Sequence, residues 1–223
     1  MISSTRHARS QLRLGFDLDP APAAAGFESL SELRDAFSSL FKTPAETPEA
    51  TTVIHIGWIE TAIGPLIAGS RAGSLILLEF ATRRRTEAQI AMLRRRFEGA
   101  FLPEDDAVIR TTRRELDEYF AGKRREFTIP LDFPGTPFET KVWTELLKIP
   151  YGETRSYEEL AEITSSKGAV RAVGSANGRN RIAIVIPCHR VVNKSGALGG
   201  YGGGLWRKQT LLALEQGQGT QNT

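Results

Sequence analysis

Cys188 is the only cysteine in the 223 residues. No intrachain disulfide and no cysteine-rich zinc cluster can staple this fold, so buried apolar surface must hold it together. The chain carries enough of that surface. Its residues are 40% apolar and 25% charged, a balance that argues against wholesale disorder. The length suits one large domain or two to three small ones. A lone thiol fits a reducing compartment. The longest apolar runs, such as Ile182 to Cys188, fall far short of the ~20 residues of a membrane-spanning helix. Met1 to Ser10 carries Arg6 and Arg9 with no apolar stretch behind them, so no secretory signal is expected. A soluble, cytoplasmic protein is expected (nucleoid-associated if bacterial), with no membrane partner.

The net charge of +3 hides a strong asymmetry. Between Ile163 and Leu214 there is no Asp or Glu, while Lys167, Arg171, Arg179, Arg181, Arg190, Lys194, Arg207 and Lys208 supply +8. Met1 to Glu162 holds 21 basic and 25 acidic residues, and Glu215 is the last charge. Such segregation points to a C-terminal surface that meets a polyanion. A solvated basic face without a partner would look the same by charge alone.

Three regions follow one another. In the first, Leu30, Leu33, Phe37, Leu40 and Phe41 fall at helical spacing behind a Ser29/Glu32 capping box. With the Gly26 turn before them they read as a helix-turn-helix. Thr43 to Thr52, with Pro44 and Pro48, reads as a linker. In the second region, β-prone runs at Val53–Ile59, Pro65–Ala68 and Leu75–Leu78 are cut by Gly64 and Gly73, which predicts a small antiparallel meander. Helices over Thr86–Phe97 and Ala107–Phe120 and a strand near Phe127–Phe133 should follow. In the third region a helix is predicted from Pro137 through Lys148. A second runs from Ser156 to Thr164 with Glu159 in the capping-box position, and a third from Ala169 to Asn177. Ile182–Ile186 reads as a buried strand or extended run. A Gly-rich loop (Gly196 to Gly204) then precedes a last helix, Leu205–Gln216.

Pro187-Cys188-His189-Arg190 carries the chemistry. A thiol beside an imidazole, inside an acid-free segment, is a candidate for an activated nucleophile. Free cysteines are also among the most commonly buried residues, so these four residues alone leave both readings open.

The surroundings narrow the choice. The chain reads Tyr151-Gly-Glu-Thr-Arg-Ser-Tyr157, then Ala169-Val-Arg171-Ala-Val-Gly174, Asn177-Gly-Arg-Asn180 and Ile184-Val-Ile-Pro-Cys188-His-Arg-Val-Val192. Gly199-Gly-Tyr201-Gly-Gly-Gly-Leu205 leads on to Glu215. In order and spacing these segments resemble the O6-alkylguanine-DNA alkyltransferases, suicide repair proteins that take an alkyl group from guanine O6 onto their own cysteine. The resemblance covers Val53 to Gln216 and is most specific from Tyr151 onward. It implies an α/β (α+β) fold. A ribonuclease-H-like subdomain with a small antiparallel sheet and helices (53–133) would precede a catalytic, DNA-binding helix-turn-helix/winged-helix subdomain (134–217). Residues 218–223 would be a disordered tail.

What the resemblance implies for single residues is as follows. Cys188 would accept the alkyl group, His189 would act as its base through a water, and Glu215 would orient the imidazole. Asn180 would brace the helix-turn-helix elements against the active-site segment. The target atom lies inside the base stack, so the base must be flipped out. Arg171 would fill the vacated space, on a minor-groove helix (Ala169–Asn177) whose Ala172 and Gly174 permit close approach. Tyr157 would rotate the phosphate and contact the flipped guanine, with Tyr201 and Gly202 at the lip of its pocket. Carbonyls of Cys188 and Val191 would read the guanine amino group, and Arg190 would belong to the same DNA-facing set. Each has a plainer reading: Glu215 on a helix surface, Tyr157 as a core aromatic, the Ala/Gly helix as core, the glycines as a flexible loop. The partner would be double-stranded DNA containing O6-alkylguanine, the working unit a monomer, with no cofactor. No zinc site can be assembled from one cysteine and His7, His55 and His189.

Residues 1–47 lie outside the alkyltransferase resemblance. Ala23 to Phe41 resembles half of an AraC-type helix-turn-helix, with a linker to residue 52. Its helix is barely basic, which favours a docking or vestigial module. The alternative function is a transcription regulator of an alkylation response that binds DNA through this segment. A multi-turnover cysteine hydrolase is a third reading. It fails on chemistry, because the Gly-rich loop offers a base pocket and no evident acyl site.

Overall fold

The computed structural model describes residues 52–81, 100–164 and 168–217. The AraC-like segment, the helix expected over Thr86–Phe97 and the tail 218–223 lie outside the described residues. The chain divides into two compact units. One holds the described residues up to Asp117 together with Ile129–Leu131; the other holds Glu118–Thr128 and Asp132 onward.

In the first unit β1 (Val53–Ile59), β2 (Leu66–Arg71) and β3 (Ser74–Phe80) form the predicted meander. The β2–β3 hairpin turns on Ala72 and Gly73, at φ 48° and 78°. Two central residues with positive φ match the twist of the flanking strands in a two-residue loop. The expectation of an antiparallel sheet is corrected by a fourth strand, β4 (Ala100–Leu102), which pairs parallel with β1. The order is β3-β2-β1-β4 and the sheet is mixed. A parallel pair needs a long crossover, and the chain between Phe80 and Ala100 is long enough for one.

Ile54 and Ile56 of β1, Ile67 of β2, Ile76 and Leu77 of β3, with Ala81 and Phe101, make one buried cluster, and Trp58 packs against it. Helix α1 (Ala107–Phe120) has the predicted bounds and starts on Asp106, whose carboxylate accepts from the Ile109 amide at 2.9 Å. It crosses β1 at Gly57, where a Cβ would come within 2.6 Å of Ile109 Cγ2. Arg113 donates to the Trp58 carbonyl at 2.9 Å and pairs with Asp105. The strand expected over Phe127–Phe133 is not formed. Pro130 and Pro134 lack the N–H a ladder needs, and only a bridge from Leu75 to Leu131 appears, with the Leu75 amide bonded to the Pro130 carbonyl at 2.8 Å.

The second unit is helical. Helix α2 (Pro137–Leu146) opens with a full capping box between Thr136 and Glu139 and with proline in its first turn. It ends at Leu146, ahead of Pro150, which disfavours helical geometry in the residue before it. The two-residue strand β5 (Arg155–Ser156) leads into α3 (Tyr157–Thr164), where Ser156 and Glu159 form the capping box predicted there. Helix α4 covers Val170–Gly178 and α5 Leu205–Glu215. Helices α2, α3 and α4 pack on one another, and the buried Trp143 indole donates to the Ala176 carbonyl at 2.9 Å. Strand β6 (Val191–Val192) runs parallel to β5. No described helix is long and apolar enough to cross a membrane.

Candidate active site

The run Ile182–Ile186 is buried as expected, but it is a turn and not a strand. Asn180 explains how a turn survives there. Its side-chain oxygen accepts from the Ile182 amide at 3.0 Å, and its amide nitrogen donates to the carbonyls of Ile182 (3.4 Å) and Ile186 (2.9 Å). One side chain thus does for the backbone what a neighbouring strand would. Ile184 sits at φ 72°, a region that costs a β-branched residue on the order of 1–3 kcal/mol. The turn delivers the chain to Pro187 and a single 3-10 turn over Cys188–Arg190. Asn177, from the end of α4, donates to the Cys188 carbonyl at 3.3 Å.

Cys188 is buried at 6% exposure and His189 at 0%. The imidazole Nε2 lies 2.9 Å from Glu215 Oε1. An ionised carboxylate only accepts, so Nε2 carries the proton and Nδ1 presents a lone pair. Nδ1 is buried without a hydrogen-bond partner among the described residues. Burial holds the imidazole pKa below its ordinary value, outweighing the bond and charge of Glu215, and Arg190 and Lys208 lower it further. A neutral imidazole with an unused lone pair, one residue from a buried thiol, can serve as a general base.

Five hydrogen bonds converge on Glu215. Oε1 accepts from His189, from the Tyr119 hydroxyl at 2.7 Å and from Arg190 Nη2 at 2.9 Å. Oε2 accepts from Arg190 Nε at 2.8 Å and the Gly152 amide at 3.2 Å. Burial alone would raise the carboxyl pKa, but the bonds and charges of His189 and Arg190 hold it well below the usual carboxylate range. Gly152 reaches the carboxylate because its φ is 81° and a Cβ there would sit 3.1 Å from the Glu215 carbonyl. The sequence expectation for Arg190 is corrected here. It is not on a DNA-facing surface: it is 6% exposed, its guanidinium grips Glu215 with two nitrogens, and Nη1 donates to the Ile149 carbonyl at 2.6 Å.

The carbonyls expected to read guanine are already partly engaged. That of Cys188 accepts from Asn177, and that of Val191 accepts from Lys208 Nζ at 2.5 Å. Each carbonyl oxygen keeps a second lone pair. Lys208 is fully buried, and the same ammonium donates to the carbonyls of Leu198 and of Gly200, the latter at 3.3 Å. Burial lowers its pKa to about 8, with the charge of Cys188 acting the other way. Sequence reasoning counted Lys208 only as part of the polyanion-facing basic segment, which its burial corrects, and gave Asn177 no individual role. The inward stripe of α5 is Lys208, Leu211, Leu212 and Glu215, two charged groups closing an apolar i, i+3, i+4, i+7 pattern, and that was the available signal.

The Gly-rich loop comes close to Tyr157, whose hydroxyl lies 3.4 Å from the Gly200 carbonyl. Gly199 is at φ 64°, and a Cβ there would be 3.0 Å from the Tyr157 ring. Tyr201 is half-buried and Gly202 exposed. On α4, Val173, Ala176 and Asn177 face inward, while Arg171, Ala172 and Ser175 are exposed. Gly174 is half-buried, and a Cβ there would meet nothing closer than the Tyr157 ring at 3.9 Å.

A neutral His189 sets a pH expectation. Its pKa is lowered from 6.5, so more than half of the imidazole is neutral at pH 6.5, and it is lost as an acceptor as the pH falls through the lowered value. Thiol reactivity against pH should therefore show an acid limb with its midpoint below 6.5. A midpoint above 6.5 would contradict the geometry. Stability follows the same sign: the His189 contribution is complete above the unfolded value and falls as acid forces a buried imidazole to charge.

These features define a helical unit that buries a cysteine one residue from a carboxylate-bonded histidine. Residues 54–133 match the family described as the 6-O-methylguanine DNA methyltransferase, ribonuclease-like domain, and residues 137–217 match its DNA binding domain. A methylated-DNA–protein-cysteine methyltransferase of Mycobacterium leprae is 47% identical over 74% of this chain and 94% of its own length. One from Bacillus subtilis, the inducible form, is 46% identical over 55% of this chain and 69% of its own. A crystal structure of Mycobacterium tuberculosis OGT in complex with DNA superposes with a TM-score of 0.62 at 42% identity, covering 74% of this chain and 94% of that one. The chain belongs to the 6-O-methylguanine DNA methyltransferase family. Residues 1–53 lie outside both matches.

Proposed function

We propose that this chain repairs O6-alkylguanine in duplex DNA by taking the alkyl group onto Cys188 Sγ, once per molecule. The observation that carries the reading is the buried His189, bonded through Nε2 to Glu215, one residue from the buried Cys188. In the transfer the S–C bond forms as the C–O6 bond breaks. The thiol proton passes to His189, and guanine keeps the C–O electron pair and regains one proton on the ring. The thioether product has no good leaving group, so no second step restores the thiol.

Duplex DNA would meet the exposed face of α4. Arg171 would enter the stack in place of the flipped base, and Ala172, Gly174 and Ser175 offer no bulk to keep a minor groove away. Tyr157, Gly199 to Gly202 and the second lone pairs of the Cys188 and Val191 carbonyls would surround the guanine. Arg179 and Lys194, exposed in the basic segment, would supply phosphate contacts, so binding should weaken with salt and depend little on sequence. Arg171→Ala should lower repair of duplex DNA by ~10-fold more than it lowers reaction with the free base O6-benzylguanine, since only the duplex carries the unstacking cost. Equal loss on both would make Arg171 structural. Incubation with an O6-methylguanine duplex should leave a methyl group on Cys188 and none on Cys188→Ala protein. A correctly folded chain that accepts no methyl would refute the reading.

A further inference from the structure

We infer that Tyr119 is a positioning residue of the thiol–imidazole–carboxylate relay: its phenol O–H, bonded to the Glu215 oxygen that also holds His189, sets how strongly that carboxylate retains the imidazole proton. The inference rests on the alkyl-transfer reading above. Tyr119 lies near the C-terminal end of α1 with 0% exposure. Its ring meets Phe120 and Tyr151 edge-on, at centroid distances of 5.3 and 6.0 Å, and Phe127 at 5.5 Å. Those contacts account for a buried aromatic ring, and phenylalanine would satisfy them equally. They do not account for the hydroxyl, which is spent wholly on Glu215.

The bond is placed to matter. At 2.7 Å it is shorter than the 2.9 Å bond from His189 to the same Oε1, and Arg190 Nη2 makes a third donor at 2.9 Å. Donors that share one acceptor compete for its electron density, so each weakens the others. Burial, then the charge of Glu215, push the phenol pKa well above its ordinary value, so the donor stays protonated throughout the working range. The charged groups acting on His189 are Glu215 and Lys208 from α5 and Arg190 from its own turn. Tyr119 and Tyr151 act on it through the carboxylate. Loss of the Tyr119 hydroxyl would leave more of Oε1 to His189 and make the imidazole more basic.

The test is the pH dependence of methyl transfer from an O6-methylguanine duplex, with three full-length proteins. These are the unaltered chain, Tyr119→Phe, and the chain with 3-fluorotyrosine at position 119, whose phenol is a stronger donor. The acid limb should move up by ~0.5 pH unit in Tyr119→Phe and down in the fluorinated protein. A purely structural role would lower the plateau rate or the melting temperature and leave the limb in place. Should Tyr119→Phe fail to fold, the near-isosteric fluorinated chain decides alone. Unchanged limbs with active protein would overturn the inference and leave the alkyl-transfer reading standing. No transfer by the unaltered chain would remove both.

Discussion

Glu215→Gln should slow alkyl transfer at Cys188 by ~10²-fold or more and lower the free energy of unfolding by about 3 kcal/mol. The two effects share one cause. The carboxylate receives five hydrogen bonds and is the counter-ion of the buried Arg190. Glutamine keeps one accepting oxygen and turns an NH2 group toward donors, so at least two of the five bonds become donor-against-donor contacts. Arg190 then stays buried without an opposite charge, the situation in which breaking a buried pair costs most. If the amide nitrogen faces His189, the imidazole must take the other tautomer, and Nδ1 no longer offers a lone pair to the thiol. Single-turnover rates and urea unfolding measure the two parts separately. A variant as fast and as stable as the unaltered chain would show that Glu215 neither orients His189 nor neutralises Arg190.

Asn180→Ala should cost about 3 kcal/mol and reduce transfer as well, although Asn180 makes no described bond to Cys188 or His189. Its side chain serves one buried amide and two buried carbonyls of the Ile182–Ile186 turn. Each group left unpaired costs about 1–3 kcal/mol, reduced where a water can enter. The turn also holds Ile184 in the left-handed region, a strain that persists only while the surroundings over-determine it. Relaxation of the turn would displace Pro187 and with it the thiol. Hydrogen exchange at the Ile182 and Cys188 amides reads this directly, and both should lose protection together. Protection and rate equal to the unaltered chain would mean that backbone packing alone holds the turn.

Much of this arrangement is legible in the chain. The strand Val53–Ile59 and the helix Ala107–Phe120 fall where the sequence puts them, because each buries one face and a break follows, Glu60 after the strand and Gly122 at φ 70° after the helix. Two capping boxes, Thr136/Glu139 and Ser156/Glu159, form as three-residue spacing allows; only the second was foreseen. Strand β4 escaped notice because three residues carry no period, and its parallel partner lies far back in the chain. The apolar run before Cys188 reads as a strand or extended run, since hydrophobicity reports burial and not backbone geometry. Its conformation is decided by Asn180, a polar residue outside the run. Arg190 was misplaced for a related reason: positive charge in an acid-free segment suggests an outward surface, whereas its counter-ion Glu215 lies 25 residues further on. Tyr119 could not have been found from spacing, being separated from Glu215 by 96 residues.

The central claim is that Cys188 is the acceptor and is used once. Titration of a known amount of folded chain with excess duplex carrying radiolabelled O6-methylguanine tests it most directly. Transfer should stop at one methyl per chain, with all the label in the peptide containing Cys188 and the DNA left with unmodified guanine. Continued release of methyl beyond one equivalent, or label on any other residue, would contradict it.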